Sequence, residues 1–149
     1  MTGSSVPLPR IAVVLGIAGL APQIWAVLAT FSETNRYIGL AAGYFYAALI
    51  FTFLGGLWWG VASSREGAPE WLYVTAVVPS LVAFSTGIPW MTGAPWPGPS
   101  LVVLGVCILA APLVDRALWK AGFISADVLR LRFGLSLGLG SLTLLLAAR

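Results

Sequence analysis

Asp115 and the two arginines of the stretch LRLR, Arg130 and Arg132, are the charged side chains of this chain that are best placed for chemistry. All three lie beside or within long apolar runs, where an unpaired carboxylate is costly. We therefore expect Asp115 to pair with Arg130 or Arg132. Such a pair can be a structural tie between two helices, or a functional acid that relays protons or binds a cationic headgroup, and the sequence leaves both roles open.

Three other side chains with polar atoms, Tyr46, Trp59 and Ser80, lie within neighbouring apolar runs. By its position along its run, Trp59 lies in the same half of a membrane as Asp115, and Ser80 lies towards the middle. We predict that these side chains, together with Asp115 and the arginines, form one ligand-binding site or one tightly packed polar junction. Wide dispersion of these residues around the protein would contradict this prediction.

Several kinds of chemistry lack the residues they need. The chain has no histidine and one cysteine, Cys107, so metal centres built on His or several Cys ligands and the Ser-His-Asp triad are excluded. A glycine-rich phosphate-binding loop with lysine is also missing, and we find no nucleophile with an activating base. We therefore expect no metal, no cofactor and no catalytic residue, and predict that the protein is not an enzyme.

The elements that must position these residues are membrane helices. Of the 149 residues 59% are hydrophobic and 9% are charged, and the mean hydropathy is +0.95, whereas a soluble domain has about 25% charged residues. A membrane helix needs roughly 20 apolar residues, and five stretches meet this requirement. The sequence thus predicts an all-α fold, one domain over residues 1–149 with five transmembrane helices at about 9–31, 37–63, 71–91, 99–119 and 128–148.

The basic residues near the ends of these spans predict the orientation. Six lie on the side of the N-terminus and two on the other side, and basic loops stay in the cytoplasm. We expect a multi-pass protein of the bacterial inner membrane with a cytoplasmic N-terminus and a periplasmic C-terminus. Because the positive charges are scattered at span ends, the net charge of +3 indicates contact with membrane lipid and not with nucleic acid.

Small residues and prolines predict how the helices pack. Three pairs of glycines are spaced four apart, which lets two helix backbones approach each other: Gly39 with Gly43, which Ala47 follows one turn later, Gly56 with Gly60, and Gly134 with Gly138. We expect these pairs to pack helices within one chain, with homodimerisation as the alternative.

Three spans contain a proline that bends a helix, at Pro22, Pro79 and Pro112. Bent helices can splay and leave a cavity. Four tryptophans near span ends are expected to anchor in the headgroup region: Trp71, Trp90, Trp96 and Trp119.

The run YAALIFTFLGGLWWG resembles the signature of the domain of unknown function 3429 (DUF3429) family, which includes mitochondrial transmembrane protein sixty-nine. The matching positions are Tyr46, Ile50, Phe53, Leu54, Gly55, Gly56, Trp59 and Gly60. Four supporting stretches also match: GLAP, VVPSL, LVD and LRLR. The resemblance covers all five spans and implies a membrane protein without implying a reaction. It adds Gly55 to the packing glycines and favours Trp59 as the tryptophan that faces inward, which leaves Trp58 at the lipid.

Three functions are compatible with these features. The first is a non-enzymatic membrane protein that binds a lipid- or quinone-like ligand in a cavity between bent helices. The second is an accessory subunit or assembly factor whose small-residue faces pack against a larger membrane complex. A small transporter is disfavoured, because a transport path normally carries more intramembrane polar residues than this chain has.

Overall fold

The structure, a computed structural model, describes residues 8–95 and 97–149. Within those residues helices are the only regular secondary structure, which confirms the all-α prediction. Five helical segments are long and apolar enough to cross a membrane, as the sequence predicts. The helices are α1 (Arg10–Ala18), α2 (Ala21–Ala29), α3 (Arg36–Ser64), α4 (Trp71–Met91), α5 (Gly98–Lys120) and α6 (Ala126–Ala147).

The first membrane span is divided into two helices. The predicted span at 9–31 is interrupted at Gly19 and Leu20, just before Pro22, which lacks an N–H and occupies the first turn of α2. Pro79 and Pro112 lie instead inside α4 and α5, which continue through them. Because α1 has no buried residue, its attachment to the rest of the protein is weaker than that of α2.

The bundle core lies between α3, α5 and α6, and α2 and α4 pack on α3 from two sides. A second core cluster surrounds Trp58 and joins α3 to α4 and α5. The most extensive pairings are those of α5 with α6 and of α3 with α4. Since consecutive spans are joined by short loops, neighbouring spans run antiparallel.

The turn between α5 and α6 is defined by a glycine and a serine. Gly122 has a φ of 79°, and the N–H groups of Gly122 and Phe123 donate to the carbonyls of Trp119 and Leu118. This is the Schellman arrangement that ends a helix. Ser125 then caps α6, because its Oγ accepts from the Val128 N–H at 3.3 Å. The result is a tight hairpin of α5 and α6.

The predicted glycine pairs have different surroundings. Gly39 and Gly43 pack α3 against α2, because a Cβ on Gly39 would lie 2.6 Å from the Ala26 carbonyl oxygen and a Cβ on Gly43 would lie 3.1 Å from the Ala26 Cβ.

The other two pairs make fewer close contacts. A side chain at Gly56, Gly60 or Gly134 would meet nothing within 4 Å, so the prediction that these residues pack helices within the chain is wrong. They lie on exposed faces of α3 and α6. Gly55 is the packing residue of the α3 motif, since a Cβ there would lie 2.3 Å from the Ala76 carbonyl oxygen in α4. Gly138 contacts the Leu20 side chain.

The closest approach of α5 and α6 is at Gly105 and Gly140. A Cβ on Gly105 would lie 3.2 Å from the Gly140 carbonyl oxygen, and a Cβ on Gly140 would lie 3.1 Å from the Gly105 carbonyl oxygen. Side chains of Leu144 and Leu109 fill the remaining space. The two helices therefore meet backbone to backbone, as in other small-residue membrane interfaces.

The predicted anchor tryptophans have different surroundings. Trp71 and Trp119 are exposed near the ends of α4 and α5, where a headgroup anchor belongs. Trp90 is half-buried and packs edge to face against Tyr37 and Tyr44. Trp96 lies outside the described residues.

Candidate functional site

The α5–α6 hairpin places Asp115 and Arg132 at the same depth. Asp115 lies five residues before α5 ends at Lys120, and Arg132 lies six residues after α6 begins at Ala126. With a rise of 1.5 Å per residue, the two positions are about 8 Å and about 9 Å from the turn. The two side chains therefore meet across the helix interface, well inside the apolar part of both spans.

Asp115 and Arg132 form a buried ion pair that is completed by Trp58. Asp115 Oδ1 lies 3.1 Å from Arg132 Nη2 and accepts a hydrogen bond from Trp58 Nε1 at 2.8 Å. Asp115 has no exposed surface, and Arg132 is 9% exposed. A pair buried to this degree is maintained by the mutual compensation of its charges, so loss of either partner leaves an uncompensated charge in an apolar setting.

The ion pair leaves hydrogen-bonding capacity unused. Within the described residues Asp115 Oδ2 and Arg132 Nε and Nη2 have no hydrogen-bond partner. Nη2 is close to Asp115 Oδ1, yet its N–H groups are not directed along that line. Unpaired polar atoms are unusual in a buried position.

Trp58, and not Trp59, faces the interior. Trp58 is 3% exposed and Trp59 is 48% exposed, so the prediction that Trp59 lines the bundle is wrong. The buried stripe of α3 continues from Ala47 through Phe51, Gly55 and Trp58. Adjacent positions point about 100° apart, so a helix that buries Trp58 turns its neighbour to the surface. There Trp59 packs edge to face on Tyr73 at 5.0 Å between ring centroids.

Arg130 and Ser80 also lie outside the junction. Arg130 is two residues from Arg132 and so about 200° away around α6, where it pairs with exposed Asp127 at 3.4 Å. Ser80 follows buried Pro79 in α4 and is therefore turned to the exposed side. Neither residue contacts Asp115, which corrects the prediction of one junction that contains them all.

Tyr46 lies on the same helix as Trp58 but far from the ion pair. It is twelve residues before Trp58 in α3, which is about 18 Å along the helix axis. Its hydroxyl donates to the Gly19 carbonyl oxygen at the break between α1 and α2. At a helix end this carbonyl lacks a full set of intrahelical partners. Tyr46 thus fastens the break to α3 and does not contact the ion pair.

An apolar cavity of about 380 Å³ extends from Gly19, at the break between α1 and α2, to Arg132 of the ion pair. It lies between α1 and the faces of α3, α5 and α6. The lining residues are Ala12, Leu15, Gly16, Gly19, Leu20, Ile50, Phe53, Leu54, Leu57, Ile108, Arg132, Leu135, Ser136 and Leu139. Arg132 therefore belongs both to the ion pair and to the cavity wall. Ser136, one turn after it, was not anticipated from the sequence.

A second buried polar contact lies in the other half of the bundle. Gln23 Nε2 donates to Thr143 Oγ1 at 3.1 Å, and the Thr143 hydroxyl donates to the Leu139 carbonyl. Both side chains have no exposed surface. Gln23 thus links α2 to α6.

These features define a class: a protein whose described residues form helices, with five segments long and apolar enough to span a membrane, a buried ion pair and an apolar cavity beside it. The family model described as "Protein of unknown function (DUF3429)" matches residues 8–148, which is nearly the whole chain. The chain therefore belongs to the DUF3429 family. No curated protein and no solved structure matches it.

Proposed function

We propose that this protein is a non-enzymatic membrane protein that binds a lipid- or quinone-like molecule in the cavity between α1 and the bundle. The observation that carries the proposal is the position of Arg132. Arg132, which is nine-tenths buried and paired with Asp115, is one of two residues with polar side chains among the fourteen that line an otherwise apolar cavity. Ligand sites share this character, with mostly apolar walls and a small number of placed polar groups.

The alternative contents of the cavity are less favourable. A stable buried water needs two to four polar partners, and the lining offers two polar side chains next to each other. Water can therefore occupy the part beside Arg132 but gains nothing along the leucine-lined remainder. An amphiphile with an apolar tail satisfies both parts.

Native mass spectrometry of the gently solubilised protein tests the proposal. We expect the wild type to retain a small apolar molecule and Ala12→Phe, which fills the cavity, to lose it. Ala18→Phe is the matched control, because Ala18 is on the same helix but exposed and outside the cavity lining. A wild type without any bound molecule, or equal retention by the two variants, would contradict ligand binding in this cavity.

A second function, that of an accessory subunit or assembly factor, is favoured by the surface of α3. Gly56 and Gly60 lie four apart on an exposed face with open space around them, which suits close packing of a helix from a partner or a second copy. Co-purification distinguishes this function: Gly56→Leu should release a partner, or dissociate a homodimer, that the wild type retains. If the wild type purifies as a monomer without partners, the face has no such role.

We also propose the bacterial inner membrane as the location, with the N-terminus in the cytoplasm. The support is the distribution of basic residues, six on the N-terminal side and two on the other. Thiol labelling of intact cells tests the orientation, with Cys107→Ser as background. A cysteine introduced at exposed Gly67, in the loop between α3 and α4, should react only after the cells are opened.

A further inference from the structure

The cavity offers hydrogen-bond donors at one place only. Of its fourteen lining residues twelve are apolar, and the other two are Arg132 and Ser136. An arginine side chain has donors and no acceptor, whereas a serine hydroxyl can do either. Since these residues are four apart on α6, they lie next to each other on one helix face. A bound headgroup must therefore present an acceptor to Arg132.

The charge of Arg132 is already balanced. Asp115 lies 3.1 Å from the guanidinium and, within residues 8–95 and 97–149, is the only acidic group paired with it; no other lining residue is charged. An anionic headgroup would bring a net negative charge into an apolar site next to the Asp115 carboxylate. That arrangement carries a large desolvation cost that a neutral acceptor avoids.

We infer that the ligand of this cavity is a single-chain or ring-bearing amphiphile whose headgroup is an uncharged carbonyl acceptor for Arg132, and not a carboxylate or a phosphate. The inference rests on the proposed function and specifies its ligand. The volume of about 380 Å³ is near the lower end of ligand cavities, about 300–1,000 Å³, which favours one chain or ring over a two-chain phospholipid. A quinone ring and an acyl ester both offer such a carbonyl.

Three probes separate these chemistries: oleate, methyl oleate and decylubiquinone. Oleate and methyl oleate have the same chain and differ in the charge of the headgroup. Their dissociation constants are to be measured by calorimetric titration in dodecyl maltoside micelles at about pH 9, where a carboxyl group is ionised. We expect methyl oleate to bind the wild type at least about tenfold more tightly than oleate. Decylubiquinone, compared with methyl oleate, tells whether a ring carbonyl or an ester carbonyl is preferred.

Asp115→Asn tests the electrostatic reason for this preference. The variant leaves Arg132 without its counter-charge, so oleate should bind about tenfold more tightly than it binds the wild type, while methyl oleate changes by less than about threefold. Ala12→Phe should abolish binding of all three probes, and Ala18→Phe should not. If Asp115→Asn does not fold, the comparison of oleate with methyl oleate on the wild type still decides.

Failure of this inference differs from failure of the proposed function. If oleate binds the wild type as tightly as methyl oleate, and Ala12→Phe removes it, the cavity binds an amphiphile but the uncharged headgroup is refuted. If none of the three probes binds, the proposed function itself fails.

Discussion

The choice between two adjacent tryptophans gives a sharp test of the packing described above. Trp58→Phe removes the indole N–H that lies 2.8 Å from Asp115 Oδ1 and leaves most of the ring volume in place. A hydrogen bond to a charged group contributes about 1.5–3 kcal/mol. The smaller ring also leaves a void among the buried residues around it, which adds roughly 1 kcal/mol. We expect these two contributions to lower the free energy of unfolding by about 2.5–4 kcal/mol in total.

Thermal unfolding in detergent, followed by circular dichroism, measures this loss. For a chain of this size it corresponds to a fall in Tm of roughly 5–15 °C. Trp59→Phe is the matched control, since Trp59 is half exposed and a phenyl ring can keep the edge-to-face contact with Tyr73. Its stability should stay within about 0.5 kcal/mol of the wild type.

A double-mutant cycle assigns the loss to the hydrogen bond. In an Asp115→Ala background Trp58→Phe breaks no hydrogen bond to a carboxylate. The loss of unfolding free energy caused by Trp58→Phe should therefore be smaller there by about 1 kcal/mol or more. A larger effect of Trp59→Phe than of Trp58→Phe would refute the inward position of Trp58. Additive effects of the Trp58 and Asp115 changes would refute the energetic role of their contact.

The remaining predictions concern the ion pair and the glycines. Asp115→Asn should destabilise the protein by about 3–5 kcal/mol, and the double variant with Arg132→Gln should be more stable than the sum of the single losses predicts; thermal unfolding of the three variants checks this. Arg130→Gln should change stability by less than about 0.5 kcal/mol, because Arg130 is exposed; a large loss would mean that it belongs to the junction. Gly55→Leu should prevent folding, whereas Gly56→Leu should leave the monomer intact; equal expression and Tm of the two variants would contradict the assigned face.

Hydrophobicity was sufficient to predict five segments long and apolar enough to cross a membrane. This signal depends on a property of single segments, namely their apolar length relative to the bilayer thickness. The division of the first span was missed because Pro22 predicts a bend, whereas the structure ends one helix and starts another there. That outcome depends on partners distant in sequence, such as Tyr46, which bonds Gly19.

The partner of Asp115 could be narrowed to two arginines from sequence, because both lie near the start of the following span. Choosing Arg132 requires the rotation of α6 about its axis, which packing at Gly105 and Gly140 determines. Rotation also explains the error at Trp59. Extending the face of Gly43 and Ala47 by helical steps leads to Phe51, Gly55 and Trp58, so a signal for the inward tryptophan was present in the sequence.

The sequence contains only indirect signals that a cavity is present. Proline predicted a bent helix but not which helix would stand away from the bundle. Ser136 gave no indication of its role, since a serine in a small-residue stretch is equally typical of helix packing. The position of such a residue at a cavity wall follows only from the arrangement of α1, α3, α5 and α6 together.

The most direct test of ligand binding beside the ion pair is an experimental structure of the protein purified from its native membrane in mild detergent. We predict elongated density between α1 and α6 that ends within hydrogen-bond distance of an Arg132 N–H. A closed cavity without density beside Arg132 would contradict ligand binding at this place.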